Sequence, residues 1–201
     1  MTPMSDQELI EALLGLGAPK GVTTALWAAG DQDGLIAALQ SVLGVRRVRS
    51  LNLAADDNEG ALRLIVSRSV LDQTRLRDLS QRLEQLRRQL DAGGILAMEI
   101  RTGLAPVGPE ARSLDHVLFP QMAAQGQLSG EAATLTPLTA SGWMSLLEKT
   151  GFEVVGVEGF GAQPPSPAVS SLHFERLALF DATELSSGVI RVVARKREEA
   201  A

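Results

Sequence analysis

An α/β domain built on a mainly parallel sheet is the fold class this chain predicts, and three observations predict it. Short apolar runs with β-branched content alternate with segments of three-to-four apolar periodicity, the pattern of βαβ units. The 201 residues suit one such domain and are too few for two comfortable ones. A mixture of 45% hydrophobic and 21% charged residues is that of a globular domain able to bury a core without cross-links.

The elements follow in order. Ser5 begins a helix over 5–16, with Glu8 at capping-box spacing and Leu9, Ile10, Leu13, Leu14 and Leu16 on one face. Gly15, Gly17, Pro19 and Gly21 end it. Val22 to Ala28 reads as a buried strand, followed by the turn Gly30-Asp31-Gln32-Asp33-Gly34. Leu35, Ile36, Leu39, Val42 and Leu43 form a helical stripe stopped by Gly44. Val45 to Leu53 is a second strand, and Arg46, Arg47 and Arg49 mark it as an edge strand. Leu62 to Val66 is a third strand, buried.

From Leu71 onward, Leu76, Leu79, Leu83, Leu86 and Leu90 predict an amphipathic helix of about five turns. Gly93-Gly94 should terminate it before a fourth strand over Ile95 to Ile100. The leucine stripe covers little more than two heptads, so it suits sheet packing better than a coiled coil. Residues 103–130 read as a loop with a short helix around Leu118 to Ala124. Thr139 to Thr150 is a helix capped by Thr139 or Ser141, with Trp143, Leu146 and Leu147 inward and Gly151 as its stop. Phe152 to Val157 and Val189 to Ala194 are the fifth and sixth strands. The whole is expected to be one domain over 1–201: an N-terminal helix and loop (1–21), a long connection (159–187) holding Pro164-Pro165-Ser166-Pro167, and a solvated tail (196–201). Within the connection, Leu172 to Phe180 is apolar without a clear period.

Composition excludes several chemistries. With no cysteine there are no disulfides, thiolate nucleophiles or thiolate metal sites. A net charge of −5 argues against nucleic acid as the main partner, since phosphate binding needs clustered Lys and Arg. Aromatic residues make up 3% and Tyr is absent, so no base-stacking platform is expected. His116 and His173 lie far apart without a helical pairing, which disfavours a metal site and leaves both as bystanders rather than general bases. No apolar run is long enough to span a bilayer and the first ten residues lack a signal pattern, so a cytoplasmic location is expected. Lys20 precedes Gly21 with no Ser or Thr directly after it, which does not make a phosphate loop.

Four phrases, in order, resemble the class I S-adenosylmethionine-dependent methyltransferases. They are LRLIVSRSVLDQ (62–73), LRRQLDAGGILAMEI (86–100), LTASGWMSLLEKTGFEVV (138–155) and GVIRVVARKR (188–197). The resemblance implies a three-layer Rossmann-like fold, helices on both faces, sheet order 3-2-1-4-5-7-6 and an antiparallel last strand. It also implies a shortened version. Only Ala54 to Ala61 separates the second and third strands, too little for the family's adenine-binding turn and third, edge strand. Such a loss spares the core and leaves the Arg-bearing strand as the new edge, a sheet of about six strands.

The same resemblance assigns a cofactor pocket, and the assigned positions depart from the family pattern. Trp27 falls on the acidic position before the glycine-rich turn, and Ala29 and Asp31 fall on glycine positions, leaving Gly30 and Gly34 nearby. Glycine matters there because it lets the backbone approach the ligand. Asp31 would set a carboxylate beside that of the ligand's methionine, an unfavourable like-charge pair. Asn52 replaces the carboxylate that holds both ribose hydroxyls, and losing that charge-assisted pairing costs about 1.5–3 kcal/mol. Trp27 would fill the vacated space with apolar bulk.

Ser67 either hydrogen-bonds a ligand on the family's substrate side or is incidental to a turn in which Ser69 or Asp72 caps the next helix. Asp31 and Asp33 are an acid/base pair or, more simply, turn residues. The vestigial cofactor-binding set is therefore Ala29, Gly30, Asp31, Gly34, Asn52 and Ser67, with no catalytic and no metal-binding residue assigned. The expectation is a catalytically degenerate methyltransferase-like domain without S-adenosylmethionine, acting through a protein partner or a second copy. The edge strand or the connection over 159–187 is its contact surface. The alternative is a small-molecule methyltransferase that keeps S-adenosylmethionine in a rebuilt pocket. A third reading gives that pocket to a nucleotide or a lipid-like metabolite.

Overall fold

Strands buried on both faces must lie inside a sheet, and two runs here have that property. Leu64, Ile65 and Val66 are consecutive and at most 1% exposed, and Leu96, Ala97 and Met98 are fully buried. In the computed structural model, which describes residues 5–28, 32–51, 62–102, 136, 138–161 and 187–198, both runs are central strands. The strands are β1 (Thr24–Ala28), β2 (Val48–Ser50), β3 (Leu62–Arg68), β4 (Leu90–Arg101), β5 (Phe152–Phe160) and β6 (Val189–Lys196). They form one sheet in the order β2-β1-β3-β4-β6-β5. Pairs β1–β2, β1–β3 and β3–β4 are parallel, while β6 runs antiparallel to both β4 and β5. The mostly parallel sheet with an antiparallel last strand is as the sequence predicts.

Among the described residues, four helices make the outer layers: α1 (Asp6–Gly15), α2 (Asp33–Leu43), α3 (Leu76–Gln89) and α4 (Ala140–Lys149). Alternation along each strand divides the core in two. On one face Leu9, Ile10 and Leu13 of α1 and Leu35 and Leu39 of α2 pack with Leu26, Leu64, Val66 and Ala97. On the other, Leu79, Leu83 and Leu86 of α3 and Trp143 and Leu147 of α4 pack with Ile65, Leu96, Met98 and Val192. Full burial of each such leucine stabilises the fold by about 1.5–3 kcal/mol.

Several element ends depart from expectation. β2 is three residues long, shorter than 45–53, with Arg49 exposed within it and Arg46 and Arg47 exposed before it; it forms one edge of the described sheet. α3 stops at Gln89 rather than at Gly93-Gly94. Leu90 already belongs to β4: it pairs with Leu62, and its carbonyl accepts from Lys196 Nζ at 2.6 Å. Gly93, at φ +69, absorbs the bend that this early start requires. Neither Ser69 nor Asp72 caps α3; its N-cap is Arg75, without a side-chain cap, while Asp72 lies in a short 3-10 turn, Leu71–Gln73. β5 runs on to Phe160 and β6 to Lys196. Gly156 lies beside a bulge in β5 and under the loop after α1, where a Cβ would come within 2.6 Å of the Leu16 carbonyl oxygen. The loop helix expected around Leu118 to Ala124 lies outside the described residues.

The cap of α1 forms as its spacing predicts. Ser5 Oγ accepts from the Glu8 amide at 3.3 Å, and Glu8 Oε2 accepts from the Ser5 amide at 2.8 Å. These Ser5 bonds favour the ionised form and hold the Glu8 carboxyl below the usual carboxylate range. A carboxyl lowered in the folded state adds stability above its unfolded pKa and loses it as pH falls through the depressed value. Ser5→Ala is expected to cost about 1 kcal/mol in urea denaturation at neutral pH, with a smaller difference in strong acid.

Candidate functional site

Open α/β sheets bind ligands beyond the carboxyl ends of their strands, where the strand order reverses. Here the reversal lies between β1 and β3, since the chain steps from β1 to β2 on one side and to β3 and β4 on the other. The residues at that end are Trp27 and Ala28 of β1, Arg68 of β3, and Glu99 to Arg101 of β4.

The parallel register sets Trp27 beside Ser67, and Ser67 beside Met98. Alternation points Trp27 and Ser67 toward the α3–α4 face, where the indole packs half-buried on the core. Ser67 is 2% exposed, so its hydroxyl does not open onto an accessible cleft.

On the α1–α2 face, side chains of alternating sign cross the sheet. The Asp6 carboxylate at the start of α1 pairs with the Arg68 guanidinium. Arg68 Nε lies 3.3 Å from Glu99 Oε1, and Arg191 Nε donates to Glu99 Oε2 at 3.2 Å. Arg191 Nη1 then reaches Glu158 Oε2 at 3.0 Å, with its guanidinium carbon 4.1 Å from the centre of the Phe160 ring. Arg191 is only 3% exposed, which a cation tolerates because carboxylates flank it on both sides.

Asp6 also reaches α2. Its carboxylate sits so close to Gly34, in the first turn of that helix, that any Cβ there would collide with Oδ2. Gln32, the N-cap residue, does not cap: its Nε2 donates to the Ala28 carbonyl at 2.8 Å and its Oε1 accepts from Ser50 Oγ at 3.2 Å. Gln32 thereby ties the carboxyl ends of β1 and β2 together.

Of the positions singled out from sequence, Gly34 is exposed on the α1–α2 side and Ser67 is buried toward the other face, so the structure does not bring these two together. Ala29, Gly30, Asp31 and Asn52 lie outside the described residues, as do His116 and His173. Asp33 is the exposed first residue of α2. Sequence reasoning missed Asp6, Arg68, Glu99, Arg191 and Glu158, and also the pair formed by Asp72 and Arg101, whose Nε donates to Asp72 Oδ2 at 2.7 Å. One signal was available. Glu99 directly ends the apolar run 95–98, Arg68 follows the run 64–66 by one residue on the neighbouring parallel strand, and Arg191 interrupts the otherwise apolar 189–194. Among the described residues no group of acidic or histidine side chains is arranged to hold a metal, and no helix is long and apolar enough to cross a membrane.

This layered architecture is that of the class I S-adenosylmethionine-dependent methyltransferases. Phosphoethanolamine N-methyltransferase 2 of Haemonchus contortus, solved with phosphomonomethylethanolamine and S-adenosylhomocysteine, superposes with a TM-score of 0.59 at 12% identity, covering 95% of this chain and 52% of that one. The chain thus spans about half the length of that enzyme. An S-adenosylmethionine-dependent methyltransferase of Mesorhizobium loti gives 0.51 at 16% identity, covering 92% of this chain and 96% of that one. A chain of the complex containing the Trm112 methyltransferase activator of Haloferax volcanii gives 0.51 at 11% identity, covering 96% and 90%. No family model and no curated protein matches the sequence.

The ladder makes a quantitative prediction. Arg191→Met leaves Glu99 short of one of its two cations and is expected to cost about 3 kcal/mol in urea denaturation. Combining it with Glu99→Gln should cost at least 1 kcal/mol less than the sum of the single changes. Strict additivity would mean that the ladder is not coupled.

Proposed function

We propose that this chain is a cytoplasmic methyltransferase-like domain that has given up methyl transfer and works by binding another protein. One observation supports the reading: Trp27, Asp6 and Arg68 lie at the carboxyl end of the sheet, the end where the resemblance would seat the methyl donor. The indole of Trp27 stands at the family's acidic position and packs into the core beside buried Ser67. The Asp6 carboxylate, paired with Arg68, lies against the first turn of α2. A donor entering there would bring its own carboxylate toward Asp6 and find no acidic partner for its amine at Trp27. Seating the donor there would require the Asp6–Arg68 pair to open, and no acidic side chain stands at Trp27 to meet the donor's amine, so these residues do not suit S-adenosylmethionine. Asn52 in place of a ribose-binding carboxylate and the short 54–61 segment argue the same way.

The fold survives such losses because its core does not depend on the cofactor pocket. What remains is a rigid scaffold with an edge strand, β2, and the connection over 159–187 as contact surfaces for a protein partner or a second copy. The Haloferax complex is a case in which this fold occurs together with an activator protein. The competing reading, methylation of a small molecule, draws on the likeness to the Haemonchus enzyme solved with S-adenosylhomocysteine.

Titration calorimetry separates the two. With S-adenosylmethionine raised to about 1 mM, the purified protein is expected to give no saturable heat. A dissociation constant below about 10 μM, near −7 kcal/mol of binding free energy, would overturn the proposal and favour the enzyme.

A further inference from the structure

Arg101 ends β4 at the carboxyl edge of the sheet, and its surroundings fix it in place. Its backbone pairs with Val189 of β6, and the next residue, Thr102, is fully buried with its amide bonded to the Gly188 carbonyl at 2.9 Å and its hydroxyl to the Ser187 carbonyl at 2.7 Å. The side chain is held from the other direction by Asp72. That carboxylate is fully buried, it sits in a turn whose Leu71 is anchored in the core, and its backbone carbonyl accepts from the Thr136 amide at 2.6 Å.

The pair is incomplete in a specific way. Arg–carboxylate pairs commonly close through two parallel bonds. Among the described residues only Nε of Arg101 donates here, to Asp72 Oδ2 at 2.7 Å, while Asp72 Oδ1 is buried without a partner. The guanidinium therefore does not turn to satisfy the second oxygen, although that oxygen has no other donor. A guanidinium offers two forked edges, and Asp72 engages one of them at a single point. Among the described residues the outer edge, Nη1 and Nη2, has no partner, and the side chain is 33% exposed.

We infer that Arg101, positioned by Asp72, is a binding site for the carboxylate group of a small molecule. The outer edge of the guanidinium presents two parallel N–H donors at the spacing of carboxylate oxygens. Asp72 cancels the charge of Arg101, so the pair is neutral as a unit. A singly charged, planar carboxylate matches the fork and adds the least negative charge beside Asp72; a phosphate dianion would add about twice as much. The location fits as well, since open α/β sheets take ligands beyond the carboxyl ends of their strands. The inference stands on the Asp72–Arg101 pair and its place at the sheet end, and it is independent of whether the chain transfers methyl groups.

The test is a titration of the protein with sodium acetate at constant ionic strength, read by the arginine Nε–H resonances in 1H–15N spectra. Arg88, exposed and paired with Glu84 on the surface of α3, is the internal reference for unspecific binding. An unpositioned surface ion pair corresponds to a dissociation constant of about 0.2 M or weaker. The Arg101 resonance is expected to saturate at least tenfold below that concentration, with Arg88 unresponsive and with inorganic phosphate weaker than acetate. Arg101→Lys keeps the charge but loses the fork; the acetate perturbation of neighbouring backbone amides should then weaken at least fivefold while the melting temperature holds. Asp72→Asn, a change to the positioning residue, should weaken acetate binding threefold or more with Arg101 still present. A response of Arg101 that only tracks Arg88, or equal acetate affinity in Arg101→Lys, would overturn the inference. So would phosphate binding more tightly than acetate.

Discussion

Burial of β3 and β4 on both faces is the constraint from which the rest of the structure follows. Leu64, Ile65 and Val66, and Leu96, Ala97 and Met98, cannot meet water on either side, so helices must cover both faces. α1 and α2 do so on one side, α3 and α4 on the other. Once both faces are sealed, only the sheet's ends and edges remain open to other molecules. The two edges of the described sheet differ: β2 is three residues long and flanked by exposed arginines, and β5 carries a bulge under the loop after α1.

The carboxyl end is where the layers no longer suffice, and charges take over. Arg68 and Glu99 extend the same strands that bury the central apolar runs, so each side chain emerges just beyond the core. In that half-dry setting a lone charge would be costly, whereas an alternating row is mutually compensating. Arg191 is the extreme member, almost fully enclosed between Glu99 and Glu158 with Phe160 under its guanidinium. Because α1 contributes Asp6, the row also fixes how the first helix sits over α2 and β3. A single set of interactions thus joins the amino-terminal helix to four strands near the carboxyl end of the parallel sheet.

Much of the architecture was legible because it rests on local periodicity. The leucine stripe of α3, the Ser5–Glu8 box and the Gly44 stop, at φ +66, each depend on neighbours within a few residues. The edge position of β2 followed from three arginines in one short run. What escaped the sequence depends on distant partners. Arg68 meets Asp6 from 62 residues away and Arg191 meets Glu99 from 92, and nothing in the spacing of either residue announces its partner. Asp72 illustrates the same limit. Its type and place suggest a helix cap, yet tertiary contact with Arg101 claims it and α3 begins uncapped. The early start of β4 at Leu90 was hidden because Gly93 looks like a helix stop when it is a bend within a strand.

The central claim is that the chain's own groups close the place where a methyl donor would lie. A crystal structure grown in millimolar S-adenosylmethionine tests it most directly. The account predicts Asp6 still paired with Arg68, the Trp27 indole still packed beside Ser67, and no donor at the first turn of α2. An ordered donor seated there, with Asp6 turned away to admit it, would contradict the account.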